Sequence, residues 1–230
     1  MTGIQAIELI RQHHPDISTG ECIILLNEGQ KDFCRKTNIY KTSYTQTTTA
    51  GQRYYTLDDN ILDIKEVHFN DVAIPRLIGK PVIDDDEFLS GTNQLAVPNS
   101  SSNDRYWYLD TRRIGIVEKS TGRVVSRDDK STQYQSCSVT GQELRLLVTA
   151  YPTEFTQVNI STNVVLSLVP GSFERAIVDY VIANGYMLPA NFQPPAVQLF
   201  SAKYAEGVKD GKKFSNKSAG GTGRIVPCEF

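Results

Sequence analysis

The sequence predicts an α+β fold: N- and C-terminal helices form a four-helix α-domain, an antiparallel β-domain of barrel or sandwich type is inserted between them, and an extended C-terminal arm follows. Three observations carry this expectation. Apolar residues recur at helical spacing near both ends, Tyr- and Thr-rich alternation fills the middle, and the last residues turn to Gly and Pro around a few apolar side chains. The expected divisions are 1–40, 41–169, 170–214 and 215–230.

The first helix is expected from Gly3 to His13, because Ile4, Ile7 and Ile10 stand three apart with polar residues between them, and Pro15 stops it. Ser18 followed by Glu21 has the form of a capping box. Ile23, Leu26, Gln30 and Phe33 then carry a second helix to near Thr37.

From Lys41 the period changes to that of strands. Tyr44 to Thr49 and Gln52 to Leu57 flank Ala50-Gly51 and suggest a hairpin; Ile61 to Phe69 and Val72 to Ile78 flank Asn70-Asp71 and suggest a second, with Pro75 restricting it to an edge or irregular pairing. Arg105 to Leu109, Arg113 to Val117 and Leu144 to Tyr151 are further strands, the last apolar enough to be central. Gly91 to Asp104 and Ser120 to Ser136 are rich in Ser, Thr, Asn and Asp and read as exposed loops, long enough to serve as contact surfaces. After Pro170-Gly171, Ser172 can cap a third helix with Phe173, Ala176, Ile177, Tyr180, Val181 and Met187 on one broad face, ended by Pro189. Pro194-Pro195 suits the start of a fourth, with Val197, Phe200, Tyr204 and Val208 aligned. Ser215 to Phe230 reads as a flexible linker with a short apolar end, of the kind that folds on a partner.

Composition excludes several functions. Among 230 residues, 24 Lys and Arg against 26 Asp and Glu leave a net charge of -2, which disfavours tight wrapping of nucleic acid. The best apolar run, Asn163 to Val169, falls far short of the roughly 18 residues of a spanning helix, and the N-terminal residues lack the apolar run of a signal peptide, so neither membrane insertion nor secretion is expected. Cys22, Cys34, Cys137 and Cys228 include no C-x-x-C pair and read as reduced thiols.

No motif for chemistry stands out, and no catalytic residue, cofactor or metal is expected. His13-His14 reads as two surface histidines at a helix end, because adjacent helical positions diverge and no third ligand is spaced to join them. The run Asp84 to Glu87 lacks the alternation of a calcium loop, Asp58-Asp59 reads as a turn, and Gly220 to Arg224 lacks the ending of a phosphate loop. Neither a G-x-S-x-G elbow nor a Cys with an evident His partner is present. Tyr106, Trp107 and Tyr108 could stack on a sugar or base, but a β-domain core accounts for them as well. The basic zone of Arg112, Arg113, Arg123, Arg127 and Lys130 is balanced by Asp128-Asp129 and reads as a solvated face.

The order of segments is more specific than any motif. G-x-x-x-Y-x-L-x-x-x-I-L-x-I-x-x-V at Gly51 to Val67, L-x-V-x-A-Y-P at Leu146 to Pro152 and P-x-x-F-E-x-A-I-V-D-Y at Pro170 to Tyr180, behind two N-terminal helices, resemble the head-to-tail connector (adaptor) proteins of tailed bacteriophages. The resemblance implies a non-enzymatic neck protein of the virion: a ring, typically of twelve copies, docked beneath the portal and extending the channel through which DNA leaves. Its partners would be further copies of itself, the portal protein, a tail or nozzle protein, and genomic DNA passing without sequence-specific binding. On that reading Arg224, Ile225, Val226 and Phe230 belong to a portal-binding arm, and Asn93, Asn99, Asn103, Arg123 and Arg127 to loops facing the tail or a neighbouring copy. Competing readings are a tail-completion or tail-tube ring protein and a carbohydrate-binding module built on Tyr106 to Tyr108.

Overall fold

The computed structural model describes residues 1–78, 105–119 and 134–219. The expected loop 91–104 and most of the loop 120–136 lie outside the described residues, as do the run 84–87 and residues 220–230. Helices and antiparallel sheets are both present, so the fold is α+β. Two compact units form, one from Met1–Lys41 with Thr149–Phe230 and the other from Thr42–Val148.

The helical unit contains α1 (Gly3–Arg11), α2 (Thr19–Thr37), α3 (Glu174–Met187) and α4 (Pro194–Ala219). A reciprocal capping box starts α1: Thr2 accepts from the Gln5 amide and the Gln5 side chain accepts from the Thr2 amide. Ser18 Oγ accepts from the Glu21 amide to start α2, and Asn38, in the left-handed region at φ 51°, closes it. Before α3 the chain makes one turn of 3-10 helix, Gly171–Phe173, so Ser172 does not cap; Phe173 takes that position without a side-chain bond. Ile177, Val178, Val181 and Ile182 are all fully buried, covering more than one face, because α3 packs against α1, α2 and α4 together. Each such side chain contributes about 1.5–3 kcal/mol relative to exposure. Met187, expected on the buried face, is half exposed at the end of α3.

Residues 151–169, expected within the β-insertion, pack with the helices. Gly3 N donates to Asn163 O and Ile4 N to Ile160 O, both at 3.1 Å, and Val165 N donates to Met1 O. Asn27 accepts from Phe155 N at 2.8 Å and donates to Phe155 O at 2.9 Å, while the buried Gln30 accepts from Leu166 N. Side-chain amides thus satisfy an irregular backbone that has no sheet to join.

Among the described residues the β unit forms two four-stranded sheets. In the first the order is β1 (Lys41–Thr47), β8 (Glu143–Ala150), β3 (Ile61–Phe69) and β4 (Val72–Ile74). β8 is central, as its sequence predicts, and Leu144, Leu146 and Val148 alternate into the core. β3 and β4 form the expected hairpin, with Asn70 and Asp71 both at positive φ. The second sheet has the order β2 (Tyr54–Thr56), β6 (Arg113–Lys119), β5 (Arg105–Asp110), and β7 (Tyr134–Ser136) also pairs with β6. The hairpin expected between residues 44 and 57 does not form: Gly51, at φ 77°, does turn the chain, but β1 pairs with β8 and β2 with β6. Buried Thr48 explains the divergence. Its hydroxyl donates to Val139 O and accepts from Gln142 N, and its amide donates to Gln142 O, which ties the end of β1 to the approach of β8. β7 also corrects the expected loop, whose last three residues are extended and paired.

Beyond β4 the chain joins the sheets. Trp107 N donates to Pro75 O at 3.1 Å and Leu77 N to Trp107 O at 2.8 Å, so Pro75 serves only as an acceptor, in keeping with its missing donor.

Candidate functional site

All nine residues assigned from sequence to partner contacts, Asn93, Asn99, Asn103, Arg123, Arg127, Arg224, Ile225, Val226 and Phe230, lie outside the described residues. What is described is how the chain is held where those segments begin and end.

The C-terminal segment leaves from α4, which runs to Ala219, so residues 215–219 are helical rather than linker. Two features extend it. Ser215 is buried and its Oγ donates to Asn38 O at 2.9 Å; Gly211 lies so close to α2 that a Cβ there would stand 2.9 Å from Phe33 and Thr37. About two turns before Gly211, Tyr204 donates to Asp32 Oδ2 at 2.7 Å, Arg35 and Lys36 pair with the same carboxylate, and Lys36 lies 5.2 Å over the Tyr204 ring. Burial works to raise the Asp32 pKa, but the hydrogen bonds from Lys36, Tyr204 and Arg35 outweigh it and hold the carboxyl below its ordinary value. For Tyr204, burial and the Asp32 carboxylate both push the hydroxyl up. The helix behind residue 220 is therefore anchored from Tyr204 to Ser215, about three turns.

In the β unit the register brings Arg105 opposite Glu118 and Lys119 opposite Tyr134. Arg105, Lys119 and Tyr134 consequently lie at one end of the second sheet. A buried cluster secures it: Arg105 Nε donates to Glu118 Oε1 at 2.8 Å, Ser138 donates to Glu118 Oε2 through its hydroxyl at 2.8 Å and its amide at 3.3 Å, and the Arg105 guanidinium stacks 4.0 Å from the Phe69 ring centre. The Cys137 thiol donates to Glu118 as well, and burial pushes its pKa up. Cys22, Cys34 and Cys137 are free and buried, and burial raises Cys34 to about 12, so none is a poised nucleophile.

The aromatic trio does not make an exposed stacking platform. Trp107 is 3% exposed and lies under Arg76, while Tyr108 is fully buried across Gly115, where an added Cβ would meet its ring at 2.3 Å. Only Tyr106 is partly open, edge-on to Tyr134. Asp58 accepts from the Asn60 amide and Asp59 pairs with Arg112, which makes the acidic pair a turn as expected.

His13-His14 departs from the surface reading. His14 is buried, donating from Nε2 to Ile182 O at 3.0 Å against Tyr186, and His13 packs edge-on to Phe200. Burial, with the charges of His14, Arg175 and Lys203, lowers the His13 pKa; burial raises that of the neighbouring Asp179. Among the described residues no group of three or more His, Cys, Asp or Glu is placed to hold a metal, and no helix is long and apolar enough to cross a membrane.

The SU10 adaptor protein family matches residues 4–224, nearly the whole chain and both units. The chain belongs to this family. It is thus a structural adaptor protein of bacteriophage and a component of the virion. No curated protein matches it. Sequence reasoning missed Ser215, Gly211 and the Arg105–Glu118 pair; the small-residue spacing at 207, 211 and 215 was the available signal for the longer helix.

Proposed function

We propose that this adaptor forms a ring in the virion neck, of twelve copies, beneath the portal, extending the DNA channel and offering the docking surface for the tail. The observation that carries this reading is family membership across both units, together with the anchoring of α4 up to the C-terminal segment. In this reading residues 220–230 act as the portal-binding arm, with Arg224 for polar contact and Ile225, Val226 and Phe230 for apolar anchorage. The segments holding Asn93, Asn99, Asn103, Arg123 and Arg127 meet the tail or nozzle protein. Genomic DNA passes through the lumen without sequence-specific contact, in keeping with the net charge of -2.

Electron microscopy of the portal protein alone and mixed with this adaptor tests the proposal. An added ring at one end of the portal, lost when residues 220–230 are deleted, is the expected result. A bare portal, with capture by tail components instead, would replace this reading with that of a tail-completion ring.

A further inference from the structure

We infer that the end of the helical unit where α2 and α4 finish is a phosphate-binding surface for duplex DNA. This assigns residues to the proposed DNA channel and rests on that reading. The whole chain has a net charge of -2, yet residues 32–41 and 207–219 hold seven Lys and Arg against two Asp. Those two segments therefore carry +5, and the rest of the chain carries -7. The average conceals a local excess of positive charge.

The fold joins the two segments. Asp32 accepts from Tyr204, Phe33 and Thr37 lie against Gly211, and Asn38 O accepts from Ser215. Along their contact α2 and α4 thus run the same way and bring their C-terminal ends together. Lys41 follows, with its Nζ 3.5 Å from Ser215 O. On α4 the buried Tyr204, Val208, Gly211 and Ser215 define the inner side. Lys209, Lys212, Lys213 and Lys217 recur at spacings of three and four on the other side, and all are exposed. They cover about 12 Å of helix, and a DNA strand presents a phosphate about every 3.4 Å along its axis. Exposed Arg35 and Lys36 continue the surface on α2.

The two carboxylates do not cancel it. Asp32 is engaged by Arg35, Lys36 and Tyr204, and Asp210 by Lys213. Among the described residues no carboxylate lies within ion-pair distance of Lys209, Lys212 or Lys217. Exposed Glu206 and Glu28 bound the surface, about one turn before Lys209 and Asp32. Nor does the helix dipole account for these lysines, since its effect is confined to the last turn and Lys209, Lys212 and Lys213 precede it.

Duplex DNA is the partner that fits. Among the described residues Phe214 is the one exposed large apolar side chain in these segments, and its ring packs on Phe173. The surface thus lacks the aromatic anchors of a protein contact. Lysines bind phosphate as point charges, without the fixed geometry of a bidentate clamp, which suits a backbone that must slide past. The negative remainder of the chain steers a duplex toward this end.

Fluorescence anisotropy of a labelled duplex of about 20 base pairs, titrated with the full-length chain, tests this. The expected binding is the same for unrelated sequences and weakens about 40-fold between about 50 and 200 mM salt, the response to three neutralised phosphates. Lys209→Gln with Lys212→Gln keeps good helix formers at exposed positions and is expected to weaken binding about tenfold or more, with the salt slope reduced by about two. Lys65→Gln with Arg112→Gln makes the same change in charge on the β unit and is expected to alter binding less than about twofold. Equal losses from the two pairs overturn the inference, because net charge alone would then govern binding. It is also overturned by no binding at the lower salt, or by poly-glutamate displacing the duplex as well as unlabelled duplex does at equal charge. The ring reading fails separately. A chain that docks on the portal as a ring but binds no duplex overturns this inference alone, whereas one that binds duplex through these lysines but never docks overturns the ring and leaves the surface.

Discussion

The helical unit and the β unit place their charge pairs differently. Around α3, Ile177, Val178, Val181 and Ile182 are closed off from water, the buried Asp179 pairs with a half-exposed Arg175, and the cluster at Asp32 sits at the margin, where Arg35 and Lys36 reach solvent. In the β unit a charge pair lies inside: Glu118 is fully buried and Arg105 is nearly so. A helix satisfies its own backbone and can devote its packed faces to carbon. A small sheet whose strands end beside long inserted segments must fix those ends, and a geometrically demanding ion pair discriminates one register from the next better than apolar contact does.

The sharpest way to break this contrast is Glu118→Ala. It removes the buried carboxylate on which Arg105 and both Ser138 donors converge, and a loss of about 3–5 kcal/mol is expected in urea unfolding. The paired replacement Arg105→Met with Glu118→Leu is expected to recover most of that loss, since the penalty comes from removing one half of a buried charge pair. Ile177→Ala is the helical counterpart, with an expected cost of about 2–5 kcal/mol from the cavity left in the core. Next come two glycines at matched positions of close approach. Gly115→Ala drives a Cβ to 2.3 Å from the Tyr108 ring and Gly185→Ala to 2.4 Å from His14 Nε2, and each is expected to cost about 1–3 kcal/mol by thermal unfolding.

Two carboxyls in the helical unit should respond to pH with opposite signs. Asp32 has a lowered pKa, so its stabilisation is present above its ordinary value of 3.8 and is lost as the pH falls through the folded value. Asp32→Asn should therefore destabilise at pH 7 and lose that effect in acid. Asp179 has a raised pKa through burial, so the folded state binds its proton more tightly than the unfolded chain and stability declines as the pH rises above 3.8. Asp179→Asn should relieve that decline, which unfolding measured from pH 3 to pH 7 would reveal as a flatter profile. The smallest effect belongs to Arg112→Ala at the exposed pair with Asp59, within about 0.5 kcal/mol.

These differences also explain what the sequence could show. α1, α2 and the β3–β4 hairpin were readable because their signals are local: caps at Ser18, period at Ile4, Ile7 and Ile10, and a turn at Asn70-Asp71. The β1–β8 pairing was not, because the partner of β1 lies a hundred residues on and the genuine turn at Gly51 pointed to the nearer strand. His14 looked like surface because its partner, the Ile182 carbonyl, is supplied by a helix far along the chain. Residues 151–169 carried apolar side chains without a period, and only contact with α1 and α2 gives them a place. For the proposed contact segments the sequence offers composition alone. It did not mark their anchors, since Ser215 and Arg105 acquire meaning only from Asn38 and Glu118.

The Ala150 amide donates to the Tyr40 carbonyl at 3.0 Å, so the chain departs for Thr42–Val148 and comes back through a single doorway. A stretch entered and left at one point is a cassette: it can be cut out and its ends rejoined by a short turn, or traded for another of different length, without re-threading the helices. Recombination among phages could then fit the same helical frame with new faces for new partners while the frame keeps its own contacts.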